Sequence, residues 1–425
     1  MKKQVMKGLK WTTISSIILA VVAILRVSIL TRFLSKDMFG IIAILTFIIN
    51  FLELFNDMGI STAILHKQEM NKKEYSSLYW LNLIFSSALY ALLLLLSPLI
   101  VKFYNLEILK ELIPITGLII LFNGLGRQFK VVEQKNLNFK IVSFTEIFSA
   151  ICSITLAIVL AYFNFGIYAL VLSTVLQYFV SNFIYIFIGF AKKRLPTFYF
   201  NYTITKPFIN VGMYQVGGQI ANYFNRDLDI LIIGKLFSTD ILGGYSLAKQ
   251  LVFRPFQFIN PIVMKVAGPV LAKMQDNKDL LKHNYLKLLN SISTVNVTVY
   301  VGIIVFAHFV VGILYGNGYD NITILVRVLS VYMIFRAIGN PVGSLVVATG
   351  RTDLEFKWNL FTLFITPLSV YIGSFWGTIG ICTSLTITQI LLYVPSWWFL
   401  IKRLTTITLT EYIKASFRIN FNFKI

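Results

Sequence analysis

The apolar residues of this chain fall into runs of about 20, separated by short charged segments, and that spacing leaves helices across a bilayer as the governing expectation. A hydrocarbon layer of about 30 Å is crossed by roughly 20 residues, because each helical residue rises about 1.5 Å. Twelve windows qualify. The first six lie near residues 11–31, 39–64, 76–104, 112–132, 141–163 and 168–190, and the second six near 208–236, 241–264, 288–314, 323–349, 358–376 and 378–401. Hydrophobic residues make up 57% of the chain and charged residues only 13%, too few to clothe a water-soluble protein of 425 residues.

The basic segments test this division. Lys and Arg gather at the N-terminus, in the loops after even-numbered windows and in the tail, whereas Arg32, Lys36, Lys102, Lys110 and Lys235 fall on the opposite side. By the positive-inside rule both termini then face the cytoplasm. The same distribution explains the net charge of +20 without nucleic acid, since the cations sit between apolar runs rather than on one face. Lys2, Lys3, Lys7 and Lys10 precede the first run as a secretory signal would, but Arg26 interrupts that run and no small-residue cleavage site follows. Cys152 and Cys382 lie far apart within apolar runs, which gives no basis for a disulfide framework or a metal site.

The chain also repeats itself. Arg32 to Gly40 and Lys235 to Gly243 share Ser, Asp and Gly at a shift of 203 residues, and Leu137-Asn138-Phe139-Lys140 returns as Leu354-Glu355-Phe356-Lys357. An even number of windows separates each pair, so the halves have the same orientation. The expected architecture is all-α: a six-helix bundle over 1–190, a cytoplasmic linker over 191–207, a parallel six-helix bundle over 208–403, and a basic cytoplasmic tail over 404–425.

Ionisable groups at bilayer depth cost about 2.5–3.5 kcal/mol each on insertion scales, so they face a bundle interior or a wet cavity. Gln215, Gln219, Asn222, Arg226 and Asp229 follow one another at steps of four, three, four and three and share one helical face. Thr46, Asn50, Glu53 and Asp57 do the same in the second window; Ser246, Gln250 and Arg254 do so in the eighth, with Lys249 beside them. Arg26 and Arg336 add cations to the first and tenth windows. The plainer reading is that these groups pair and lock helices together, for example Arg26 with Glu53 or Arg226 with Asp229. Because the cations outnumber the carboxylates, pairing leaves positive charge over, as in a cavity that receives an anion. His308 is expected to be a hydrogen-bonded helix residue, and Gly217-Gly218 and Gly243-Gly244 to serve packing. There is no Ser-His-Asp, Cys-His or metal-ligand constellation, so an enzyme reading has little to stand on and no cofactor is expected.

Three segments carry a family resemblance: Arg32 to Gly40, Asp57 to Ala63, and Asn225-Arg226-Asp227-Leu228-Asp229-Ile230-Leu231-Ile232-Ile233-Gly234-Lys235 running on through Gly243-Gly244-Tyr245 to Arg254-Pro255. The chain resembles the Wzx-type polysaccharide flippases of the multidrug/oligosaccharidyl-lipid/polysaccharide superfamily, in the colanic acid and teichuronic acid exporter branch. That resemblance implies two bundles around a central cavity lined by windows one, two, seven and eight. It also implies a bacterial cytoplasmic membrane and an undecaprenyl pyrophosphate-linked oligosaccharide moved to the outer leaflet for surface polysaccharide assembly. A polysaccharide polymerase and chain-length machinery are the further expected partners. Many relatives in this branch carry two further C-terminal helices.

On this reading Arg26, Arg226, Lys249, Arg254 and Arg336 are candidates for the pyrophosphate, and Asn50, Gln215, Gln219, Asn222 and Gln250 for sugar hydroxyls. Glu53, Asp57 and Asp229 are candidates for a coupling proton or sodium ion, or for structural pairing. The competing readings are a lipid II flippase, a cation-coupled multidrug exporter, whose cavity would be anionic, and a membrane glycosyltransferase or ligase, which would need a large acidic outward loop.

Overall fold

The computed structural model describes residues 2–57, 59–67, 70–275 and 277–420; the side chains of 2–7, 9, 62, 63, 66, 207, 209–215, 261–267 and 269 also lie outside the described residues. Every regular element among them is helical. Contacts divide the chain into Met1–Tyr223 and Phe224–Ile425. The change-over falls inside one long helix, later than the basic 191–207 segment.

The first unit holds α1 (Lys2–Leu30), α2 (Lys36–Asn56), α3 (Ile60–His66), α4 (Lys72–Tyr104), α5 (Leu109–Lys135), α6 (Phe139–Tyr162), α7 (Ile167–Ala191) and most of α8 (Tyr202–Leu236). The window expected as one span over 39–64 is broken: α2 ends at Asn56, and Gly59, at φ 72°, takes a left-handed conformation just before α3 begins. Asn71 caps α4 by accepting from Glu74 N at 2.8 Å, and the Glu74 carboxylate accepts the Asn71 N–H in return. Polarity is inverted relative to a water-soluble bundle. Leu95 and Phe187 are 76% and 70% exposed, whereas Asn82, Ser86, Gln128 and Glu133 are buried and hydrogen-bonded. Small residues bring the inner helices close: a Cβ on Gly126 of α5 would stand 2.7 Å from the Asn182 Cα of α7.

The basic segment after α7 lies on this unit as a strap. Lys192 and Arg194 bind the buried Glu133 carboxylate at 2.6 and 3.0 Å. Trp80 Nε1 of α4 donates to the Thr197 carbonyl at 2.8 Å and its ring stacks on Phe198, while Thr197 N and Asn201 N donate to Ser76 and Ser77.

The second unit takes the end of α8, α9 (Thr239–Ala272), α10 (Lys278–Val305), α11 (Ala307–Tyr315), α12 (Thr323–Gly339), α13 (Val342–Ala348), α14 (Thr352–Ser374), α15 (Gly377–Leu404, with a π-helical turn at Trp397–Ile401) and the short α16 (Leu409–Phe417). One apolar cluster joins Leu281, Tyr285 and Leu289 of α10 to Leu345 of α13, Ile401 of α15 and Tyr412 of α16. The expected tenth window divides at Asn340-Pro341, where proline lacks the N–H that would continue α12. In α14 and α15, Gly373 and Gly380 meet so closely that a Cβ on Gly380 would lie 2.3 Å from the Gly373 carbonyl oxygen.

Nine helical segments among the described residues are long and apolar enough to cross a membrane. Three further long helices are α8, α9 and α14, of 35, 34 and 23 residues. The first two carry the polar stripes seen in the sequence, which lowers their hydropathy without shortening them. The protein is a multi-pass, all-α membrane protein.

Candidate functional site

Each unit organises its own charged groups. In the first, the stripe of α2 meets α5. Glu53 accepts from Arg127 Nη2 in a close ion pair and from Asn56 Nδ2 at 2.9 Å. Asn56 is in turn fixed by Ser86 Oγ of α4, which donates to Asn56 Oδ1 at 2.6 Å. Asp57 accepts from the Ser61 hydroxyl and backbone N–H, and stands 3.9 Å from the other arm of Arg127. One helical turn past Arg127, Lys130 binds Glu146 of α6 at 2.6 Å. Three carboxylates, Glu53, Asp57 and Glu146, thus face two cations.

Beside these pairs lies a cavity of about 500 Å³, wholly inside the first unit. Asp57 and Ser61 form one wall, Asn123, Arg127, Lys130 and Gln134 of α5 a second, and Glu146 and Ser149 of α6 a third. The fourth wall is α7, through Gln177, Tyr178, Ser181 and Asn182. Asn182 Nδ2 donates to Asn123 Oδ1 at 3.1 Å, which ties α5 to α7 at the cavity rim.

In the second unit the centre is Lys249 of α9, 8% exposed. Its ammonium donates to Asp229 Oδ1 at 2.7 Å, to the Arg226 carbonyl at 2.6 Å and to Asp227 Oδ1 at 3.2 Å, so all three protons are placed. Asp229 also accepts from the buried Tyr245 hydroxyl. The result is a satisfied internal ion pair whose recess, about 10 Å³, has room for hardly one water. Around it Arg226 turns its partly exposed guanidinium to Asp227 at 2.7 Å. Arg336 of α12 donates to the Tyr332 hydroxyl and lies over the Phe253 ring at 5.5 Å. Arg254 is half-buried and makes no hydrogen bond or ion pair with a described residue.

Several expected pairings are therefore different. Glu53 takes Arg127 rather than Arg26, whose guanidinium donates to Ser173 and Thr174 of α7 at 2.8 Å. Asp229 takes Lys249, and Arg226 takes the adjacent Asp227. Among the amides, Asn50, Gln219, Asn222 and Gln250 are exposed on their helices, while the side chain of Gln215 lies outside the described residues. His308 stands 3.7 Å from the exposed Asp320, in the turn before α12. No group of three or more metal-ligating side chains occurs among the described residues. Arg127, Lys130, Gln134 and Asn123 were missed, although they recur at steps of four, three and four along α5 and the rule applied to α8 would have found them.

The model of a family described as polysaccharide biosynthesis protein matches residues 29–324. The chain belongs to that family. It is 28% identical to the lipopolysaccharide biosynthesis protein WzxC of Escherichia coli over 90% of this chain and 77% of that one. It is 29% identical to the teichuronic acid biosynthesis protein TuaB of Bacillus subtilis over 87% and 76%. Its fold is similar to that of the lipid II flippase MurJ in an inward closed conformation, with a TM-score of 0.77, 17% identity and coverage of 96% and 90%. An inward-facing multidrug resistance MATE transporter of the MOP superfamily follows the same fold, with a TM-score of 0.69, 15% identity and coverage of 91% and 94%. The polysaccharide family thus shares the all-α fold of that transporter superfamily.

Proposed function

We propose that the protein is a flippase that moves an undecaprenyl pyrophosphate-linked oligosaccharide from the cytoplasmic to the outer leaflet of a bacterial cytoplasmic membrane, with both termini in the cytoplasm. The family, the names of its relatives and the flippase-like fold support the class of activity. The observation that carries the choice of cargo is the charge of the second unit, where among the described residues four cations, Arg226, Lys249, Arg254 and Arg336, outnumber the two carboxylates ion-paired to them, Asp227 and Asp229. A cationic drug would be repelled there, whereas a pyrophosphate would complete the balance.

Within this reading the five cations have different tasks. Arg254 and Arg336 keep donor capacity for phosphate oxygens, and Arg226 can exchange Asp227 for one. Lys249 positions the α8 backbone and the two aspartates, and Arg26 braces α1 against α7. The exposed amides Asn50, Gln219, Asn222 and Gln250, with Gln215, offer partners to sugar hydroxyls that leave bulk water. Movement follows alternating access, and Glu53, Asp57 or Asp229 binds a proton or sodium ion if transport is ion-driven. The partners beyond the bilayer and cargo are a polysaccharide polymerase and chain-length machinery.

The test is flipping of a fluorescent lipid-linked oligosaccharide in vesicles reconstituted with the full chain. Arg254→Gln and Arg336→Gln should each slow it about tenfold or more, the scale of a lost charge-assisted hydrogen bond, with insertion and fold unchanged. Wild-type rates in both variants would remove the phosphate assignment.

A further inference from the structure

The cavity of the first unit has no part in the pyrophosphate assignment, and its chemistry differs from that of a phosphate site. Its cations are occupied, Arg127 by Glu53 and Lys130 by Glu146, so it has no surplus positive charge for an anion. Its carboxylates are occupied in the same way: Asp57 accepts from Ser61, and Glu146 binds Lys130. What remains directed at the space is neutral. Gln134 and Gln177 line it from different helices and their side chains make no hydrogen bond to a described residue, and Ser181 and Tyr178 add hydroxyls. A volume of about 500 Å³ falls in the range of roughly 300–1,000 Å³ usual for small-molecule sites, and five helices contribute to its walls.

Position adds a second argument. Apart from Leu19 in the middle of α1, the lining residues come from Asp57 just past α2 and the start of α3, the second half of α5, the first half of α6, and α7 from its middle at Gln177 towards its C-terminal end at Tyr185. Each of these helix ends leads into a basic segment: Lys67, Lys72 and Lys73 after α3, Lys135 and Lys140 between α5 and α6, and Lys192 to Arg194 after α7. By the positive-inside rule the cavity lies in the cytoplasmic half of the bilayer, where a cargo made in the cytoplasm arrives.

We infer that this cavity is a saccharide-binding site that seats one sugar residue of the cargo headgroup through neutral amide and hydroxyl contacts, leaving the phosphates to cations elsewhere. The inference rests on the flippase reading and adds to it a place where the glycan, rather than the carrier, is recognised. Planar amides with free donors and acceptors suit vicinal hydroxyls, and the paired charges leave no surplus cation to draw a phosphate into the same space. Discrimination among sugars then follows from hydrogen bonds that a wrong epimer leaves unmade, as at other sites built to bond a hydroxyl.

The experiment uses the full chain in lipid nanodiscs and four probes: undecaprenyl pyrophosphate alone, and the same lipid carrying one glucose, one galactose or one N-acetylglucosamine. At least one glycosylated probe should bind about tenfold tighter than the bare carrier. Gln134→Ala and Gln177→Ala should each remove most of that gain and leave bare-carrier affinity unchanged. Ser181→Trp, which fills the cavity without touching either ion pair, should remove it fully; elution as a single species with wild-type helicity shows that each variant is folded. If no sugar improves binding, or if the gain survives in all three variants, the saccharide site is wrong while binding of the bare carrier still supports the transporter. If the bare carrier itself fails to bind, the flippase reading and the saccharide site fall together.

Discussion

The two units handle buried charge in opposite ways. In the first, each cation across α2, α5 and α6 is matched by a carboxylate, with Asp57 as a third, and the groups stand around a cavity of about 500 Å³. In the second, Lys249 closes on Asp227 and Asp229 with hardly a water's space beside it, while Arg226 binds Asp227 and Arg254 and Arg336 form no ion pair with a described residue. The lesson is that a membrane bundle can place polar groups either to keep a space open or to keep helices shut. Charge pairing alone does not say which; volume and partner geometry do.

The strongest way to break this comparison is to remove the lock of the second unit. Lys249→Met strands the Asp229 carboxylate in a site 7% exposed and should cost about 3–5 kcal/mol, seen as a large fall in the thermal unfolding midpoint of the detergent-solubilised protein. Adding Asp229→Asn should recover much of the loss, because the pair is then removed from both sides; a single variant as stable as the wild type would mean the network is not shut. The equivalent change in the first unit should be milder. Arg127→Gln leaves Glu53, whose side chain is 20% exposed and still accepts from Asn56, so the cost should be about 1–2 kcal/mol in the same assay. Equal losses in the two units would erase the distinction drawn between them.

The smallest effect belongs to the end of the second unit. Lys282 of α10 holds the Glu411 carboxyl of α16 down to about 2, with the Thr408 backbone N–H as a further donor. A carboxylate whose folded value lies below its ordinary one stabilises above that ordinary value and loses the contribution as pH falls through the folded value. Protection of the α16 amides, taken relative to intrinsic exchange at each pH, should therefore fall between about pH 4.5 and 2 while that of α10 is unaffected, and Glu411→Gln should abolish that dependence.

Much of this was legible in the sequence. The apolar runs gave the all-α membrane class, because nothing but a helix satisfies its own backbone for 20 residues in hydrocarbon. The segment from Asn225 to Lys235 gave the family, and the periodicity of α8 and α2 put their polar groups on one face. The pairings were not legible. Which cation meets Glu53 depends on how far α2 and α5 are rotated about their axes, and the approach of α5 to α4 and α7 is set by small residues such as Gly124 and Gly126, whose contacts lie far away in sequence. Arg127 and Lys130 escaped notice for another reason: near the basic end of their span they read as part of the loop, although their side chains point inward to Glu53 and Glu146.

The strap of residues 192–201 has a practical outcome. Polar, basic segments between bundles are where proteases ordinarily nick a chain, since backbone must be drawn out of its surroundings to enter a cleavage cleft. Here Thr197 and Asn201 are stitched to α4 and Lys192 and Arg194 to Glu133, so trypsin would find its most obvious targets already occupied. Severing this chain into two co-purifying fragments would call for an engineered cut site rather than reliance on the natural basic stretch.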